Sequence, residues 1–189
     1  MNTNKVFSFR FYLVILIYVL TTWLVSSNAY AFGDNLDDIH EDIKEKYPIN
    51  HINNTQFSQA NPGELIVFDV RKPSEFEVSH IDNAIQVNPG IKPEDFFAQY
   101  GNQLNGKTAI FYCSVGRRSS HLLSKLNNQL SEHGVENAYN LEGGIFRWHN
   151  DKKALVRNQQ NTQDVHPYNF YWGRLIDDRK SIRYKVTDD

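Results

Sequence analysis

The chain has 189 residues, a formal net charge of −2 and a single cysteine. One cysteine excludes an internal disulfide and dithiol oxidoreductase chemistry within the chain, and the mildly acidic balance excludes a general electrostatic attraction for nucleic acid or anionic lipid. The length suits one domain around one hydrophobic core once the first segment is set aside.

That segment carries Lys5 and Arg10 ahead of an apolar run over 11–25, followed by Ala29-Tyr30-Ala31. The order predicts a secretory signal peptide over 1–31, cleavage after Ala31 and export, to a periplasm in a bacterial cell. A spanning helix needs about 20 apolar residues, whereas Thr21 and Thr22 interrupt this run and Ser26, Ser27 and Asn28 follow it. No membrane association is therefore expected after cleavage, an uncleaved anchor being the alternative.

Residues 32–49 read as a helical lead-in: Leu36, Ile39, Ile43 and Tyr47 recur at helical spacing among acidic residues, and Pro48 stops the run. Residues 50–61 are polar and rich in Asn, and Pro62-Gly63 marks a turn. Leu65-Ile66-Val67-Phe68 is a short continuous apolar run with β-branched members, as expected of a strand buried on both faces. Asp69-Val70-Arg71 stands at its end, Pro73-Ser74-Glu75-Phe76 opens a short helix, and Ala84-Ile85-Gln86-Val87 gives another strand. Pro93 suits the first turn of a helix through Phe96, Phe97 and Tyr100. Thr108-Ala109-Ile110-Phe111-Tyr112 repeats the buried-strand pattern, and Leu122, Leu123, Leu126 and Leu130 form the core face of a helix ended by His133-Gly134. A strand over 135–141 and a turn at Gly143-Gly144 lead to a last short helix with Phe146 and Trp148. Strands alternating with helices predict an α/β three-layer sandwich, a parallel central sheet of about five strands with helices on both faces. Residues 151–189 read as an extension whose Tyr168, Phe170, Tyr171 and Trp172 pack on the domain, or else wall an acceptor site.

Cys113 directly follows a predicted strand, where open α/β sheets place their ligands. The next residues, Ser114, Val115, Gly116 and Ser119, lead into a helix, so their backbone N–H groups should converge on the sulfur as an anion cradle. Arg117 and Arg118 add fixed cations that favour thiolate over thiol. Gly116 permits a tight path, and Ser119 is the expected N-cap. A free cysteine is often only a small buried hydrophobe, but this position and its neighbours favour a reactive thiol.

The segment Tyr112-Cys113-Ser114-Val115-Gly116-Arg117-Arg118-Ser119 resembles the active-site loop of the rhodanese family. Three further pieces are similar in order and spacing: Asp69-Val70-Arg71 with Glu75-Phe76, the stretch Ser79-His80-Ile81-Asp82-Asn83-Ala84-Ile85, and Leu141-Glu142-Gly143-Gly144-Ile145-Phe146-Arg147-Trp148. Together they cover 50–150, the expected domain. The resemblance implies a sulfurtransferase in which Cys113 takes a sulfane sulfur from a small donor such as thiosulfate, holds it as a persulfide, and gives it to cyanide, a small thiol or a protein thiol. It implies no cofactor and no metal. Arg117 and Arg118 would bind the donor's oxygens. Arg71 would border the site, an ion pair with Asp69 or Glu75 being the alternative, and His80 would hydrogen-bond its own turn. Ser79 and Asn83 depart from the family, which commonly has glycine there; Asn tolerates left-handed backbone and can replace it.

Two other readings are separable. A cysteine-dependent phosphatase or arsenate reductase has five residues between cysteine and arginine, whereas Ser119 occupies that position here and Arg118 comes one residue early. A non-catalytic persulfide carrier or binding module would show the same loop without turnover of free thiosulfate.

Overall fold

The computed structural model describes residues 35–186; the expected signal peptide and its cleavage site lie outside them. Five strands, β1 (His51–Ile52), β2 (Leu65–Asp69), β3 (Ile85–Gln86), β4 (Thr108–Tyr112) and β5 (Asn137–Leu141), form one sheet in the order β1-β5-β4-β2-β3. Every pairing in it is parallel. The two strongest apolar runs lie side by side, Leu65 opposite Thr108 through Asp69 opposite Tyr112. Cys113 thus leaves the sheet at the carboxyl end of its central strand.

Alternation along the strands divides the core into two layers. Val67, Ile110, Tyr112 and Leu141 face helices α1 (Leu36–Lys46), α2 (Asn54–Gln59) and α6 (Gly144–Asn150) through Ile39, Ile43, Phe57, Ile145 and Phe146. On the other side, Ile66, Phe68, Ala109 and Phe111 meet α4 (Pro93–Tyr100) and α5 (Arg117–Leu130) through Phe96, Leu122, Leu123 and Leu126. A sixth helix, α3 (Pro73–Val78), follows β2. Helices therefore cover both faces of a parallel sheet, the expected three-layer sandwich.

Residues 50–61 are more regular than their composition predicts. Asn53 caps α2: its side chain accepts from the Gln56 N–H at 2.9 Å, and the Gln56 side chain accepts from the Asn53 N–H at 3.1 Å, a reciprocal capping box built from residues that otherwise read as loop. Beyond residue 151 a hairpin forms, β6 (Leu155–Arg157) with β7 (Gln160–Thr162), turning on Asn158 and Gln159 at φ +49 and +64. Two successive positive φ values suit an Asn but not a Gln, which hides this turn from the sequence. The chain then buries Val165, Leu175 and Ile176 in the α1 and α6 layer, and a last short helix is α7 (Phe170–Gly173).

At the other departures from glycine, Asn83 does adopt a left-handed φ of +59, and Ser79 is extended, a conformation open to any residue. Gly144 carries a stricter demand. At φ +56, a Cβ there would lie 2.3 Å from the Cys113 carbonyl oxygen and 2.8 Å from that of Ser114. The close approach lets the Ile145 and Phe146 N–H groups donate to those same carbonyls at 2.9 and 3.1 Å. Gly144→Ala is therefore expected to cost about 2 to 4 kcal/mol, from strain and overpacking together. Gly106→Ala, at φ +69 but with nothing within 4 Å of the new Cβ, should cost only about 1 to 2. Urea denaturation of the two variants reads the difference.

Candidate active site

Cys113 is buried, and the Gly116 N–H points at its Sγ at 3.3 Å. Gly116 takes φ +97, so α5 begins at Arg117 and Gly116, not Ser119, is its N-cap. Ser119 instead sits in the first turn, where its Oγ donates to Asn140 Oδ1 at 2.6 Å and lies 3.1 Å from the Gly116 carbonyl. Asn140, fully buried in β5, thereby pins the loop from below. Burial pushes the Cys113 thiol pKa up, but the Arg118 charge and the N–H groups of Ser119 and Val115 outweigh it and hold the thiol below its ordinary value.

Arg118 is held by Glu75, a residue on the first turn of α3. Its Nη1 and Nη2 donate to the two carboxylate oxygens at 2.7 and 2.8 Å, and Nη2 also donates to Ser114 Oγ at 2.9 Å. Ser114 Oγ in turn donates to Glu75 at 3.1 Å, so one buried carboxylate ties α3, the cysteine loop and α5 together. Burial works to raise the Glu75 pKa, yet the hydrogen bonds and charge of Arg118 and the Lys72 N–H bring it below the carboxylate range.

Arg71 is not on the wall of the cavity over Cys113; it forms the ion pair with Asp69, and its Nη1 has no hydrogen-bond partner among the described residues. It is fully buried, its Nε and Nη2 donate to Asp69, and Nη2 donates to the Ser79 carbonyl at 2.6 Å. The alternative ion pair is correct with Asp69 as partner, because Glu75 is taken by Arg118. Arg117 is looser: its Nη2 meets the exposed Asp42 at 3.3 Å, and its buried Nε has no hydrogen-bond partner among the described residues. His80 is structural, its Nδ1 3.0 Å from the Phe76 carbonyl and its ring stacked on Phe76.

A cavity of about 160 Å³ opens above Cys113, with Arg117 and Arg118 on its walls. Tyr168 and Trp172, from the extension, complete it, so this segment both packs on the domain and walls the site. The Tyr168 ring lies 4.9 Å from the Arg118 guanidinium, and the Trp172 ring 6.0 Å from that of Arg117. Among the described residues no cluster of three or more His, Cys, Asp or Glu is placed to hold a metal ion. Sequence reasoning missed Glu75 as the partner of Arg118 and missed Asn140 altogether; the signal for the latter was a polar residue inside an otherwise buried strand.

The Arg118 charge gives a pH prediction. Alkylation of Cys113 by iodoacetamide should be half-maximal below the roughly 8.5 of a free thiol. Arg118→Met should move that midpoint up by about one unit, since a removed cation no longer favours thiolate. The same substitution strands Glu75 and should cost about 3 to 5 kcal/mol. Because the Glu75 pKa is depressed, the stability it contributes is present at neutral pH and lost as acid protonates it below the ordinary carboxylate range.

A family model described as the rhodanese-like domain matches residues 53–151. A tRNA uridine(34) hydroxylase of Pectobacterium carotovorum is 27% identical over 134 residues, 59% of this chain and 35% of that protein. An adenylyltransferase and sulfurtransferase, MOCS3, of Drosophila virilis is 27% identical over 135 residues, 69% of this chain and 29% of that protein. The chain spans about a third of the length of these relatives. A thiosulfate sulfurtransferase from Pseudomonas aeruginosa aligns with a TM-score of 0.50 at 14% identity, over 65% of this chain and 23% of that one, a likeness of fold. The matched segment runs from the cap of α2 to the end of α6 and takes in the sheet from β2 to β5 together with the cysteine loop, and this chain belongs to the rhodanese-like domain family.

Proposed function

We propose that the chain is a sulfurtransferase that carries a sulfane sulfur as a persulfide on Cys113, taking it from a donor such as thiosulfate and giving it to cyanide or a thiol. The observation that carries this reading is the placement of one acidified thiol at the end of the central strand, with a helix-start N–H on its sulfur.

Cys113 thiolate attacks the outer sulfur of thiosulfate; the S–S bond breaks and its electron pair leaves with sulfite. The negative charge then rests on the outer sulfur of the persulfide, where N–H groups at the start of α5 stabilise it. A nucleophilic acceptor attacks that sulfur, the new S–S bond breaks, and its electron pair returns to Cys113 as thiolate. Of the two guanidiniums on the cavity wall, Arg117 is the one available to donor oxygens, because its buried Nε lacks a partner and would gain a hydrogen bond. Arg118 serves the thiolate by charge and by holding the loop. Its bidentate pair with Glu75 also occupies the two nitrogens that would have to hold phosphoryl oxygens, which argues against phosphatase chemistry.

The full chain should convert thiosulfate and cyanide to sulfite and thiocyanate, and Cys113→Ala should reduce the rate to that of buffer. No turnover by the wild-type chain, with its thiol reduced, would favour a persulfide carrier loaded by a partner.

A further inference from the structure

The cavity above Cys113 offers more room and more aromatic wall than cyanide or another small acceptor would use. Each nearby cation has an acid beside it: Arg118 on Glu75, Arg117 on Asp42, and Arg71 beneath on Asp69. His166, close to Glu75, Arg71 and Arg118, has its pKa lowered, first of all by burial, and adds no charge at neutral pH. With Cys113 ionised, these residues together offer no net positive charge.

The wall facing away from the cysteine loop is aromatic. Tyr168 and Trp172 lie beyond the 53–151 segment that the family model matches. Tyr168 is held at φ +64, a left-handed conformation that a bulky residue adopts only when its surroundings impose it. Its N–H is fixed to His166 Nδ1 at 3.0 Å, which sets the ring against the Arg118 guanidinium. The space is about 160 Å³, close to the roughly 150 Å³ of an apolar cavity that takes up benzene.

We infer that the slot between Tyr168 and Trp172 is the subsite for the acceptor's substituent, and that the acceptor is an organic thiol bearing an apolar, ring-sized group. This rests on the reading of Cys113 as a persulfide carrier. The acceptor thiol loses its proton to solvent, and its thiolate attacks the outer sulfur of the Cys113 persulfide. The S–S bond to Cys113 Sγ breaks with its electron pair left on Sγ, and the product leaves as the acceptor's own persulfide. Nothing is oxidised or reduced overall.

The test loads the full chain with thiosulfate, removes the donor by gel filtration, and follows discharge by intact mass. Phenylmethanethiol and 2-mercaptoethanol serve as acceptors because their thiols are similar in acidity. The wild-type chain should discharge to phenylmethanethiol roughly tenfold faster, the scale expected for partial burial of one ring. Tyr168→Gly suits the left-handed backbone and should bring the ratio of the two rates to within about twofold of unity, whereas Tyr168→Phe should keep it. Equal rates in the wild-type chain, or a ratio that Tyr168→Gly leaves unmoved, would overturn the subsite. A chain that takes up no sulfur would overturn the sulfur-transfer reading, and the subsite with it.

Discussion

The arrangement around Cys113 depends on the buried carboxylate of Glu75. Two stretches about 40 residues apart meet on its two oxygens: the backbone just before α3, and the cysteine loop with the start of α5 through Ser114 and Arg118. A charge taken out of water is unfavourable unless its partners satisfy it in good geometry, and here four hydrogen bonds do so. Arg118 is held in turn where its charge lowers the thiol pKa. Glu75 is therefore a positioning residue: it fixes a cation that, with the N–H groups of the loop, favours the thiolate.

The sheet supplies the other half of the constraint. β4 sits between β5 and β2, so the loop that follows it is supported from both sides. Asn140 of β5 receives the Ser119 hydroxyl, and the tight turn at Gly143 and Gly144 brings the start of α6 onto the Cys113 and Ser114 carbonyls. The carbonyls of the loop are thus satisfied by α6, while its N–H groups remain directed toward the sulfur. This division of donors and acceptors makes one side of the loop a cradle for negative charge.

Much of this was legible in the sequence where the pattern is local. Apolar runs at 65–68 and 108–112 became the paired central strands, the leucines of α5 its core face, and the position of Cys113 after β4 followed from chain order alone. What was not legible rests on pairings between distant residues. His51 and Ile52 form a strand only because β5 lies beside them, and nothing in the Asn-rich stretch around them signals it. Whether Arg71 or Arg118 would take Glu75 could not be read from spacing; in the structure Arg71 turns to Asp69 at the strand end, and Arg118 reaches Glu75 across 43 residues of chain. The aromatic wall was legible as one of two alternatives, packing or a wall of the site, and the left-handed turn at Tyr168, which its residue type disfavours, was not.

Transfer of sulfur through Cys113 is open to intact-mass measurement of the full chain after treatment with thiosulfate. One added sulfur atom is expected, located on Cys113 and removed by cyanide. An unchanged mass, in a protein whose thiol still reacts with iodoacetamide, would contradict that transfer.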